Sequence, residues 1–114
     1  MHTAYIIVTI LAVVANAAIA LADVTRAEFV VANSRSVGVP ESWLVPLGLV
    51  KAAGAAGLLL GLLGVPLIGT VAAAGLVLFF VGAVLTHLRA RSYALGFPGG
   101  FLALAVGAFL LSLG

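Results

Sequence analysis

The sequence predicts an all-α fold, an integral membrane antiparallel four-helix bundle. Three observations carry that expectation. Four apolar runs, at about residues 4–22, 43–63, 66–87 and 97–113, approach or reach the ~20 residues that span a bilayer core of ~30 Å. Only 7% of the 114 residues are charged, where a soluble domain carries about 25%. Those few charges gather between the runs, with Lys51 the one exception. The length fits a single domain over residues 1–114.

The first run, Ala4 to Ala22, contains Ala15-Asn16-Ala17, which resembles a signal-peptide cleavage site. No Lys or Arg precedes it, so a retained transmembrane helix is expected instead. Thr9, Ala12, Asn16 and Asp23 recur at spacings of three, four and seven, along one stripe that should face protein. Hydropathy then falls through a loop at 23–42, which holds Asp23, Arg26, Glu28, Arg35 and Glu41. Thr25 to Ala32 suits a short interfacial helix with Phe29 and Val30 dipping toward headgroups, and Asn33 to Pro40 reads as loop.

Ser42 is placed to cap the second helix and Trp43 to anchor it at the interface. Pro46 falls in its first turn, where a missing N–H does least harm. Lys51 lies ~12 Å along the axis from Trp43, deep enough that an ammonium costs about 2.5–3.5 kcal/mol without a partner or a wet cavity. Beyond it Gly54, Gly57, Gly61 and Gly64 follow a three-four-three spacing, a smooth face that includes a literal GxxxG. Gly64-Val65-Pro66 is a tight connection to the third helix, whose Ala72, Gly75, Phe79, Gly82 and Thr86 form an expected packing seam. Leu88 to Gly96, with Arg89, Arg91 and Tyr93, reads as a short polar return. The fourth helix is the shortest span, at the lower limit for crossing.

Arg26, Arg35, Arg89 and Arg91 all fall in the two loops on one side, with no Lys or Arg in the termini or the Gly64 turn. The positive-inside rule then places both termini outside and these loops in the cytoplasm. A net charge of +2 is thus accounted for by topology, and no nucleic-acid partner is expected. The absence of cysteine removes disulfides, thiolate nucleophiles and iron–sulfur ligation. His2 and His87 belong to opposite ends of the bundle, so a shared metal or bis-histidine haem is not expected.

What remains is a polar constellation. Asn16, Asp23, Lys51, Thr86, His87 and Arg89 all belong to the cytoplasmic half of the bundle, where convergent faces would line a cavity. The plain reading of Lys51 is a hydrogen bond to a helix carbonyl or an ion pair with Asp23 or Glu28, and the functional reading is a ligand pocket. For His87 the alternatives are a helix-terminal cation or a pocket residue. For Asn16 they are interhelical glue or a ligand contact. A Lys–His pair also suits acid–base chemistry on a lipophilic substrate, although no recognisable catalytic motif accompanies it.

The run from Leu49 through Lys51, Gly54 and Gly57 to Gly61, together with Ala74 to Ala83 and Thr86-His87-Leu88-Arg89, resembles the DoxX-like family. That resemblance implies a small four-helix protein of the bacterial inner membrane, and Lys51 and His87 are the polar positions that match the family pattern. It also implies a link to thiosulfate:quinone oxidoreduction or oxidative-stress complexes, although a chain without cysteine departs from sulfur chemistry of its own. Two functions are therefore expected. One is an accessory subunit of a larger membrane redox or envelope complex, or a homo-oligomer, docked through its glycine faces. The other is a binder or enzyme for a quinone- or isoprenoid-type molecule at Lys51, His87, Asn16, Thr86 and Asp23.

Overall fold

The computed structural model describes residues 3–90 and 96–113. Its helices are α1 (Thr3–Val24), α2 (Glu28–Ser36), α3 (Leu44–Leu62), α4 (Pro66–Arg89) and α5 (Gly96–Leu113), with a 3₁₀ turn at Glu41–Trp43 leading into α3. Among the described residues there is no strand. Three helical stretches are long and apolar enough to cross a membrane: Thr3–Val24, Glu41–Leu62 and Pro66–Arg89. The apolar part of α5, Pro98–Leu113, is shorter. The longest dimension is 40 Å, close to a bilayer with its headgroups at about 40–45 Å.

The long helices touch in a ring, α1 on α3, α3 on α4, α4 on α5 and α5 back on α1. The expected stripe of α1 is real: Thr9, Ala12, Asn16 and Asp23 are all buried, joined by Tyr5, Ile19 and Ala20. A core built from Ala12, Ala73, Ala105 and Ala108, with Leu58, Leu76 and Phe80 between them, fills the centre. Small residues suit a fold surrounded by lipid, where close backbone approach replaces hydrophobic exclusion as the source of helix association.

The glycine row of α3 faces α4. A Cβ added at Gly61 would lie 2.6 Å from the Gly69 Cα, and one at Gly57 would lie 2.6 Å from the Ala72 Cβ. Gly54 meets the Leu76 side chain at a similar distance. Gly64 is not part of that face; its φ of +118° makes the turn between α3 and α4. On α4 the expected seam is displaced. Added Cβ atoms at Gly75 and Gly82 would meet nothing within 4 Å, and the buried positions are instead Gly69, Ala73, Leu76, Phe80 and His87.

The region after α1 also departs from expectation. α1 ends with Arg26 at φ 55°, where Arg26 N–H donates to Asp23 O and Ala27 N–H donates to Ala22 O. This paired terminator normally uses glycine. α2 begins and ends later than expected, so Asn33 to Ser36 are helical rather than loop. Phe29 is exposed as expected, but Val30 turns inward onto Ile19 and Leu44. α2 terminates through the same pattern, with Gly38 at φ +75° and Val39 N–H donating to Ser34 O. Ser42 lies inside the 3₁₀ turn and makes no cap bond to either element. Leu88 and Arg89 continue α4; His2, Arg91 and Tyr93 lie outside the described residues.

The α3–α4 crossing gives a graded test. Gly61→Val should cost about 1–3 kcal/mol through overpacking against the Gly69 backbone, while Gly75→Val should be near neutral. Unfolding in mixed micelles, followed by circular dichroism, would order the two variants.

Candidate functional site

The end of the molecule where α1 stops, α3 starts and α4 finishes holds a cavity of about 260 Å³. Its base is an ion pair. Lys51 Nζ donates to Asp23 Oδ2 at 2.8 Å, with Asp23 only 2% exposed and Lys51 8%. Gly48 makes the pair geometrically accessible. A Cβ there would sit 2.8 Å from the Asp23 Cβ and 3.0 Å from Ala20 O, so the missing side chain lets α1 approach α3 one turn before Lys51. The ammonium also lies 5.4 Å from the centroid of Phe79 and 6.0 Å from that of Phe80. Contacts of this kind contribute roughly 0.5–2 kcal/mol when desolvated.

His87 forms part of the wall nearest α2. Its Nδ1 lies 2.9 Å from Ala83 O, a carbonyl that only accepts, so Nδ1 carries the proton. Its Nε2 lies 3.2 Å from the Asn33 side-chain oxygen. The amide of Asn33 can present either its NH₂ or its oxygen to that nitrogen, so the contact survives in either orientation. Thr86 donates to Gly82 O at 2.8 Å. Ser34 donates to Val39 O at 2.7 Å, fixing the turn that closes the cavity from the α2 side.

Four of the expected ligand positions therefore converge: Asp23, Lys51, Thr86 and His87 all line the cavity. Asn16 does not. It is fully buried in the helical interior, its Nδ2 donating to Ala12 O at 2.9 Å. Its Oδ1, like Thr9 Oγ1, has no hydrogen-bond partner in the structure. Glu28, the other expected partner for Lys51, is exposed at the start of α2, and Arg89 is exposed at the end of α4.

Several lining residues escaped the sequence reading. Val30, Asn33, Ser34, Val37 and Val39 come from α2 and its terminating turn, Trp43, Leu44 and Leu47 from the start of α3, and Phe79, Phe80, Gly82 and Ala83 from α4. The signal for α2 was present. Val30, Ser34 and Val37 follow the four-three spacing of a buried helical face, and all three are buried.

Breaking the pair on one side should be far worse than removing it whole. Lys51→Met leaves a carboxylate at 2% exposure with no counter-charge, expected to destabilise by about 3–5 kcal/mol. Adding Asp23→Asn should recover most of that loss, read as the denaturant midpoint of the single and double variants in the same detergent.

Comparison with curated proteins and with solved structures gives no match. A family profile described as the DoxX-like family matches residues 7–108. The match runs from the first turns of α1 into α5 and takes in the whole cavity. With nine-tenths of its length matched, the chain belongs to the DoxX-like family of membrane proteins.

Proposed function

We propose that this protein binds a small lipophilic molecule of quinone or isoprenoid type in the cavity that ends on Asp23, Lys51 and His87. The observation that carries the reading is the combination of a roughly 260 Å³ apolar hollow with an ion pair at its base. Small-molecule sites are concave, mostly apolar and furnished with a few convergent polar groups, and they start at about 300 Å³. This cavity falls just below that range, so it fits a compact head better than a whole lipid.

In this reading α1, α3, α4 and α5 cross the bacterial inner membrane as an antiparallel four-helix bundle. The crossing residues agree with alternating directions: Asp23 meets Gly48 and Lys51, Tyr5 approaches Gly61 and Gly69, and Thr70 reaches Ser112. Arg26, Arg35 and Arg89 then share the cytoplasmic side with the cavity, and both termini face outward. The accessory-subunit reading rests on small size, few polar groups and smooth helices. Gly54, Gly57 and Gly61 are occupied by α4 of the same chain, while Gly75 and Gly82 stay open on the outer face of α4.

Both parts can be tested directly. Native mass spectrometry of protein extracted gently from its own membranes should retain a small lipophilic molecule. The double variant Asp23→Asn/Lys51→Met should lose it while remaining folded; a bare protein in every preparation would count against the cavity. For topology, the cysteine-free chain suits single-cysteine labelling. A membrane-impermeant maleimide should reach Ala32→Cys from the cytoplasmic side only and Leu63→Cys from the outer side only.

A further inference from the structure

Building on the binding reading above, we infer that the cavity is filled sideways from the lipid layer, through a mouth between Trp43 and Gly82, and takes the uncharged, hydrogen-bond-accepting head of an amphiphile whose chain stays outside. The first argument is where the lining is covered and where it is open. On the α2 side Val30, Ser34 and Val37 are buried, and exposed Asn33 is held against His87, which ties α2 to α4. Of the other lining residues, Trp43 is 55% exposed and Gly82 is exposed, with open space where its side chain would be.

The second argument is what surrounds that opening. Leu78, Val81 and Leu85 flank Gly82 on the outer surface of α4 and are 74%, 39% and 59% exposed. No charged residue occurs between Pro66 and Thr86. A surface of that kind faces hydrocarbon, so the mouth gives onto acyl chains. Size points the same way. About 260 Å³ is below the usual small-molecule range, so an entering lipid buries its head and leaves its chain at the mouth.

The head chemistry follows from charge balance. Asp23 and Lys51 neutralise one another inside the cavity, so an anionic or cationic head would be desolvated without a counter-charge. Lys51 carries three N–H donors and gives one to Asp23, leaving donors for an ester, ketone or ether oxygen. Phe79 and Phe80 beside the ammonium supply the apolar wall.

Trp43, the only tryptophan, reports on the mouth. The full chain in nanodiscs would be titrated with a monoacylglycerol brominated on its acyl chain, and Trp43 quenching read with and without unbrominated competitor. The expected result is a saturable, competed component whose half-saturation rises about tenfold or more in Gly82→Phe and Gly82→Leu, as burial of the head is lost. Gly75→Phe is the matched control, two turns away and equally open but outside the cavity, and should leave the component unchanged. A brominated fatty acid should quench without saturating. Equal curves for the Gly82 and Gly75 variants would overturn sideways entry while leaving the cavity reading intact. Saturable competition by the fatty acid would overturn the uncharged head. Absence of any saturable component in the unaltered chain would overturn this inference, while the cavity reading stands or falls on the retained molecule in native mass spectrometry.

Discussion

The buried ion pair between Asp23 and Lys51 is the constraint from which the rest of the structure follows. Two opposite charges at 2.8 Å, both nearly inaccessible, are tolerable in a low-dielectric interior only while they remain together. Their union fixes where α1 ends against α3 and requires glycine at position 48, since any side chain there would collide with Asp23 and the Ala20 carbonyl. It also sets the rotation of α1, because the turns leading to Asp23 present Asn16, Ala12 and Thr9 on the same buried stripe. A lysine that looked too deep for a membrane helix is thereby neutralised without reaching water.

Packing density then changes along the long axis. At the end away from the ion pair, α3 and α4 meet with glycine against glycine, Gly61 on Gly69, and Tyr5 lies over the crossing. In the middle the contacts are largely alanine, with Ala12, Ala73, Ala105 and Ala108 inaccessible. Toward the ion pair the interior residues become Phe79, Phe80 and Phe101, ring against ring at 5.1 and 5.2 Å. Phe79 and Phe80 line the cavity there, with α2 contributing another part of its wall. The cavity thus lies at the aromatic end of a small-to-large gradient in the interior side chains.

The gradient also explains what could be read from the sequence and what could not. The α1 stripe was legible because Thr9, Asn16 and Asp23 are polar against an apolar background, and polarity marks an inward face in lipid as surely as hydrophobicity does in water. The hairpin was legible from Gly64-Val65-Pro66. The face of α4 was not. Gly75 and Gly82 have the same three-four spacing as the true seam of Gly69, Ala73, Leu76 and Phe80, and both faces of a lipid-bathed helix are apolar, so periodicity alone could not choose between them. In the region of α2 the polar run Asn33-Ser34-Arg35-Ser36 concealed a helical turn whose inward positions are Ser34 and Val37. Of the residues expected to converge, Asp23, Lys51, Thr86 and His87 do line one cavity, a grouping legible from their polarity and helix ends. Asn16 does not line it, because membership of the same half of a helix does not specify depth or direction.

The commitments already made by the polar groups favour binding over chemistry. General acid–base work needs a group free to give or take a proton at the substrate. Lys51 holds Asp23, and its release would strand a buried carboxylate. His87 has Nδ1 bound to the Ala83 carbonyl and Nε2 against Asn33, so neither nitrogen faces the hollow unpaired. Lys51, by contrast, can offer a remaining N–H to an acceptor without giving up Asp23, which is what a recognition site requires. The same residue therefore serves the fold through one hydrogen bond and is free to serve a ligand through another.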